Sequence, residues 1–497
     1  MTRPLIHCLL CLVLGFVPCF AIAQSPGDAA LANWPSWRGP LANGVAPAGN
    51  PPTEWSESKN IQWKVAIPGR GSASPVVWGD RVFILTAIET DRTADQPDAT
   101  AAREAGVPTI RQAAYAEQSA PHVQLAVDSQ PLLAQRGERQ GREGRGGGGD
   151  GGGNRWGIVQ PTNFHQFVVM CIDRNSGKTL WQKMASEVIP HEGHHPTGSF
   201  APASPVTDGK HLYVSFGSRG IHCYDFDGNR IWQKDLGKME TNHSFGEGSS
   251  PALHEDTLVV NWDHEGQSFV TALDTRTGDE KWRKDRDEGT TWATPLIVPY
   301  DGGMQVVTSG DNRIRAYDLE SGDLVWECGG LGSNAIPSPV AIDDMVICMT
   351  GFREYAAFAI PVNSKGDITE ADKTRWQLDD GTPYISSPLL YDGLLYITKS
   401  RNAILTSVNA RTGETVLRQQ RLPDMDTLYA APVAAAGQIY FTSREGVTVV
   451  IKHGPTLDIL ATNQLDDTFD ATPAIVGNQI FLRGEKNLYC IAQGDAA

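Results

Sequence analysis

A small residue followed by proline recurs eight times along the chain, and the spacing of these pairs leaves few folds open. The pairs are Ser74-Pro75, Ser204-Pro205, Ser250-Pro251, Thr294-Pro295, Ser338-Pro339, Ser387-Pro388, Ala431-Pro432 and Thr472-Pro473. Successive prolines lie 130, 46, 44, 44, 49, 44 and 41 residues apart, so every interval but the first is near 44. Each proline is followed by an apolar pair, a turn and a β-rich run, as in Asp208-Gly209 before His211-Leu212-Tyr213-Val214. A third strand and a second turn follow, usually ending on tryptophan. The clearest copy runs from Ala272 through Gly278 to Trp282, and the same spacing takes Ala316 to Trp326 and Cys171 to Trp181. The copy from Cys223 to Trp232 lacks one residue, and the copies ending at Leu417 and Leu460 lack the tryptophan.

A repeat of this length is one supersecondary unit that cannot bury its surface alone. Alternating β-branched and aromatic residues between glycine turns predict a four-stranded antiparallel sheet per repeat. Such sheets bury both faces only by stacking into a closed ring. The expected architecture is therefore an all-β, eight-bladed propeller over residues 60–493. The last repeat stops at Ala492 after three strands. Asn60–Ala66 resembles the outer strands and has no inner strands before it, so it is predicted to complete the last blade and close the ring. Closure removes the exposed sheet edges that invite aggregation. Residues 24–59 form an N-terminal extension. The long first interval implies an insertion, about residues 89–165, between the second and third strands of blade one. Its stretch Arg136–Gly153 holds ten glycines in 18 residues. That composition reads as a low-complexity, largely disordered loop.

Residues 1–23 have the layout of a secretory signal peptide: Arg3, an apolar run from Leu5 to Phe20, then Ala21-Ile22-Ala23. No other stretch approaches 18 apolar residues, so no transmembrane segment is expected in the mature chain. The protein is expected to be exported, with periplasmic and secreted destinations both open. The chain has 42 basic against 58 acidic residues, a net charge of −16. Nucleic-acid binding needs basic surface to displace phosphate counterions, so that class of partner is excluded. Cys8, Cys11 and Cys19 leave with the signal. Cys171, Cys223, Cys328, Cys348 and Cys490 remain, at spacings that make no disulfide framework. Cys171, Cys223 and Cys490 stand where other repeats have alanine, which favours packing over thiol chemistry.

These repeats, with the pattern A-x-D-x-x-T-G-x-x-x-W, resemble the tryptophan-docking repeats of quinoprotein alcohol dehydrogenases. They also resemble the BamB-type outer-membrane assembly lipoproteins, which have the same propeller without the quinone. Trp34-Pro35-Ser36-Trp37-Arg38-Gly39-Pro40 and Asn261-Trp262-Asp263-His264-Glu265-Gly266 are similar to segments of exported PQQ-binding-like propellers abundant in planctomycetes. The resemblance covers nearly the whole mature chain and implies the fold. For a quinoprotein dehydrogenase it would further imply pyrroloquinoline quinone (PQQ), a Ca²⁺ ion, a pair of adjacent cysteines and often a haem. No adjacent cysteines and no C-x-x-C-H are present. The resemblance therefore points first to a non-catalytic binding or scaffolding propeller holding a protein, peptide or glycan on its loop face. The alternative is a PQQ- and Ca²⁺-dependent oxidoreductase.

Two groups of polar residues merit weighing. His191-Glu192-Gly193-His194-His195 matches H-E-x-x-H, but Pro190 and Pro196 flank it and disfavour the helix a zincin needs. His191, His194 and His195 stay candidate metal ligands in another arrangement. Glu247, Asp263, His264, Glu265, Asp287, Glu288 and Trp292 fall in the connecting loops of consecutive repeats and form a candidate ligand site at one mouth of the ring. Carboxylates with histidine suit a cation or acid–base work. Turn-forming roles and salt links to Arg283, Arg286 or Arg313 are the alternative. Arg219, Arg313, Arg353 and Arg401 recur after the second strand of their repeats, placed to ring the channel or to pair with loop carboxylates. No catalytic residue is assigned.

Overall fold

A computed structural model of the chain describes residues 27–94, 157–370 and 374–493. The expected signal peptide, most of the expected insertion and its glycine-rich run lie outside the described residues. The fold is an eight-bladed propeller of four-stranded antiparallel blades. Inner strands follow each small-residue–proline pair: Val76–Trp78, Val206–Thr207, Ala252–His254, Leu296–Tyr300, Val340–Ile342, Leu389–Tyr391, Val433–Ala435 and Ala474–Val476 open blades 1 to 8. Blade 4 carries an extra edge, because Gly366–Asp367 pairs in parallel with the outer strand Leu324–Gly329. Ile61–Ala66 pairs antiparallel with Asn487–Ala492, so the N-terminal strand closes blade 8 as its sequence predicts.

In blade 1 the second strand runs Arg81–Thr93 and the third Asn163–Asp173. The ladder pairs Glu89 with His165 and Thr93 with Asn163, inside the span expected for the insertion. The second and third strands thus pair beyond the expected boundary, with a register shift between Glu89 and Thr93.

The prolines recur because the residue before each one is an inter-blade clasp. The Ser74 N–H donates to Ser204 Oγ at 2.9 Å, Ser204 to Ser250 at 2.9 Å, and Ser250 to Thr294 Oγ1 at 3.2 Å. Thr294 donates to Ser338 at 2.8 Å and Ser338 to Ser387 at 3.0 Å. Ala431 donates to Thr472 Oγ1 at 3.0 Å, and Thr472 donates to Ser74 Oγ at 2.9 Å. The circle is broken where Ala431 offers Ser387 no hydroxyl. Ser386 Oγ links the same two blades through the Ala430 carbonyl at 3.0 Å.

Tryptophans clasp the periphery. Trp63, Trp181, Trp232 and Trp282 each donate Nε1–H to a carbonyl in the next blade's last turn, at Arg174, Phe226, Thr275 and Leu319, all at 2.8 Å. Trp376 does the same to Ala410 at 3.0 Å. Each indole lies on the turn glycine: a Cβ on Gly278 would come within 2.7 Å of Trp232, and one on Gly322 within 2.7 Å of Trp282. Glycine is thus required both for its positive φ, 75° at Gly278, and for room. Cys171, Cys223 and Cys490 lie opposite these tryptophans in the ladder and are buried.

The first part of the N-terminal extension runs along the inner strands. Trp34 exchanges backbone hydrogen bonds with Val77 of blade 1, and Pro35 accepts from Thr207 of blade 2. Gly44 and Ala46 bracket Ala434 of blade 7, and the Asn50 N–H donates to Gly477 of blade 8. Arg38 reaches the Pro388 carbonyl of blade 6, and Ala42 packs on the apolar cluster of blades 4 and 5. Beyond Asn50 the segment turns to blade 7, where the Trp55 N–H donates to Asn463 Oδ1 of the outer strand at 2.7 Å. Among the described residues no helix is long and apolar enough to cross a membrane.

Candidate functional site

The loop face is formed by the blade-to-blade connections and the hairpins between second and third strands. All seven loop residues singled out by sequence lie there, and the structure splits them into separate structural uses. Asp263 and Arg286 are fully buried and joined by two hydrogen bonds, 2.7 Å from Nε and 3.0 Å from Nη2. Arg286 also donates to Thr308 Oγ1 at 2.7 Å and Tyr317 Oη at 3.0 Å, while Asp263 accepts from Thr291 Oγ1 at 2.7 Å. Burial works most strongly against the Arg286 charge, but Asp263, Tyr317 and Glu288 around it together outweigh burial and raise the guanidinium above its usual range. Glu288 is equally buried and accepts from Arg315 Nη1 at 2.7 Å and from the Asn312 N–H at 2.8 Å. Burial pushes its carboxyl up despite Arg286 nearby. Arg315 holds Asp287 as well and bonds Glu327 at 3.1 Å. Two arginines thus pair with three of the candidate carboxylates.

Glu247 closes a different turn. It accepts from the Ser218 N–H at 2.9 Å, Ser218 Oγ at 2.5 Å and Arg219 Nη1 at 2.9 Å. A Cβ on Gly217 would fall 1.4 Å from its oxygen, so the glycine makes room for the carboxylate. Glu265 caps Thr290 through N–H at 3.0 Å and Oγ1 at 2.7 Å. His264 Nδ1 accepts from the Glu240 and Gly266 N–H groups, each at 3.2 Å. Trp292 Nε1 donates to the Gly246 carbonyl at 2.8 Å. Pairing with Arg286 is as the salt-link alternative expects. The other partners differ from those expected: Arg283 bonds Glu280, and Arg313 bonds Glu327 and Asp367.

The H-E-x-x-H stretch is a loop with no helix. His191 Nε2 meets the Met239 carbonyl at 2.6 Å, His194 Nδ1 the His195 carbonyl at 2.7 Å, and His195 Nδ1 Thr197 Oγ1 at 2.8 Å. The rings turn to three different partners. Glu192 binds Thr241 Oγ1 at 2.6 Å, and burial raises its carboxyl. Among the described residues no three His, Cys, Asp or Glu side chains come together to hold a metal.

What sequence reasoning missed is an aromatic and cationic lining at the mouth of the ring. Thr197, from the connection between blades 1 and 2, reaches Tyr429, from that between blades 6 and 7, at 3.5 Å. Arg444 lies over the Tyr429 ring at 4.9 Å and is bound to Asp470 at 2.5 Å. Phe352 stacks on Tyr384 with centroids 4.9 Å apart. Asn334 Nδ2 reaches Tyr384 Oη at 3.5 Å. These residues sit in loops of unequal length, so no repeat position marks them; an excess of aromatics in those loops was the only available signal.

Calcium takes about 6–8 oxygen ligands. Here Asp263 and Glu288 are already matched to arginines. The unpartnered Asn261 Oδ1 lies beside a void lined by Ser215, Thr241 and Thr291 that has room for a single water and none for a tricyclic quinone. All five described cysteines are free and buried, none adjacent in sequence. The residues present at this site do not fit a quinone with its calcium.

Comparison with known proteins gives the same fold. The family model described as outer membrane protein assembly factor BamB matches residues 165–419, just over half of the 497. The BamB of Bordetella pertussis is 31% identical over 131 residues, which are 26% of this chain and 30% of that protein. The chain thus matches less than a third of that relative's length. The quinohemoprotein alcohol dehydrogenase of Comamonas testosteroni superposes with a TM-score of 0.57 at 11% identity, over 95% of this chain and 82% of that one. The BamB of Moraxella catarrhalis gives 0.48 at 15% identity, over 66% and 89%.

Proposed function

The chain belongs to the family of the outer membrane protein assembly factor BamB, and on that premise we propose that it is a non-catalytic binding or scaffolding propeller of the cell envelope. Its loop face holds a protein, peptide or glycan. The observation that carries this reading is the use made of the loop-face carboxylates: the buried acids are joined to arginines and backbone N–H groups within the ring. Groups so matched brace a rigid platform and are not poised for proton transfer. The inner strands are engaged by the N-terminal extension, and the loop face with its aromatic mouth is the surface offered to a partner. The signal layout and the assembly-factor family favour an exported protein, periplasmic or secreted.

The test is site-specific photo-crosslinking in cell envelopes. A photoreactive residue at Tyr355 on the loop face is expected to trap a discrete partner. The same residue at Lys210, on the opposite turn face, is expected to trap none. Equal labelling from both faces would overturn the reading.

A further inference from the structure

Away from the axis, between blades 1 and 2, the loop face carries a cleft of about 410 Å³. Ser186, Val188 and His191 line it from the end of blade 1's outer strand and the connection that follows. Arg219 and His222 line it from the hairpin between the second and third strands of blade 2 and from that third strand. Lys234 ends the outer strand of blade 2, and Lys238 follows in the next loop.

Two buried side chains of this lining each leave a nitrogen unused. Arg219, its side chain 6% exposed, gives Nη1 to Glu247 and lies over the Phe167 and Phe200 rings at 5.3 and 5.8 Å. It is held in place, yet its Nη2 has no partner among the described residues. His222, 2% exposed, has Nε2 3.2 Å from the Arg219 carbonyl. A carbonyl only accepts, so Nε2 carries the proton and Nδ1 is left as an acceptor. That Nδ1 also lacks a partner among the described residues. A buried polar group without a partner costs about 1–3 kcal/mol, so a donor and an acceptor left open beside one cleft point to a ligand that supplies both counterparts.

The charges around the cleft select the ligand further. Lys234 and Lys238 have no carboxylate partner among the described residues. Asp235 is the acid among the lining residues, and it accepts from the Gly237 N–H at 2.8 Å. The nearby acids are engaged elsewhere: Glu187 with Arg92, Glu192 with Thr241 and Glu247 with Arg219. Two ammonium groups therefore face one carboxylate, with the guanidinium already balanced by Glu247. A neutral sugar would leave the ammonium groups unmatched. A bare carboxylate or phosphate presents acceptors and no hydroxyl for His222 Nδ1.

We propose that this cleft binds a small hydroxylated carboxylate the size of one sugar unit, of the uronic-acid type. Lys234, Lys238 and the open Arg219 N–H hold its carboxylate, and one of its hydroxyls donates to His222 Nδ1. Small-molecule pockets run from about 300 to 1,000 Å³, and this cleft lies at the low end, with room for a single ring. The site is separate from the mouth of the ring, so the inference does not depend on which partner the loop face holds.

The test is calorimetric titration of the mature protein with D-galacturonate, D-galactose and acetate. Saturable binding of galacturonate is expected, weakened roughly tenfold or more by K234Q/K238Q and by H222F, each checked for an intact fold by its melting curve. The variant K178Q/K210Q removes the same charge from the opposite turn face and is expected to bind as the parent does. Galactose or acetate bound as tightly as galacturonate would overturn the ligand class. Unchanged binding in K234Q/K238Q, or equal weakening in K178Q/K210Q, would overturn the site. No heat with galacturonate would overturn the proposal as a whole and leave the binding-propeller reading untouched.

Discussion

At the residue scale, Asp263 illustrates why polarity alone misplaces a site. Its neighbours in sequence, His264 and Glu265, suggest an exposed acidic mouth, yet its carboxylate is buried against Arg286 from the outer strand of the same blade. Glu288 likewise meets Arg315 of the following blade. The residue types were legible, but the pairing was not: Asp263 meets an arginine two strands away in its own blade and Glu288 one in the next, and linear spacing does not encode either contact. Asp263→Asn leaves Arg286 buried without its counter-charge and is expected to cost about 3–5 kcal/mol. Thermal melting checks this, and an unchanged melting point would contradict it. His222 gives a second prediction at this scale. It is buried, its Nδ1 has no partner among the described residues, and burial lowers its pKa from 6.5 to about 4. A depressed folded-state pKa gives stability that is present above 6.5 and lost as pH falls through 4. At most about 3 kcal/mol is involved. His222→Phe is expected to flatten the loss of melting temperature over that window, and an unaltered acid profile would contradict the assignment.

At the scale of elements, the proline repeat was fully visible, but its cause was not. Sequence shows Ser, Thr or Ala before proline; only the ring shows each hydroxyl accepting the N–H of the preceding blade. Ser204→Ala removes the acceptor for Ser74 and is expected to destabilise by roughly 1–3 kcal/mol, since a buried N–H is left without its partner. Ala431→Ser supplies the missing hydroxyl for Ser387 and is expected to raise the melting temperature. A lower one would show that the break at Ala431 is required by packing. The tryptophan and glycine of the outer turns were legible as a pair because their spacing is fixed by contact: the indole needs the space a Cβ would take.

For the whole molecule, blade number and ring closure were readable because closing the ring consumes Ile61–Ala66, a strand with no other use. The path of the extension was not readable, since residues 24–59 carry no repeat, and the described part meets inner strands of several blades and then the outer strand of blade 7. Trp34 is fully buried and bonded to Val77, so Trp34→Ala is expected to cost about 3–5 kcal/mol and to loosen the extension from the inner strands. Hydrogen exchange at the inner strands of blades 1 and 7 reads the loosening directly, and unchanged protection there would contradict it.

The fold is shared with quinone-dependent dehydrogenases, so it does not by itself decide between chemistry and binding. The decisive measurement is calorimetric titration of the mature protein with PQQ and Ca²⁺, followed by thermal shift. A ligand that binds only the folded state raises the melting point by mass action. The account predicts no saturable heat and no shift. A stoichiometric site of micromolar affinity or better, with alcohol or sugar oxidation to follow, would contradict it.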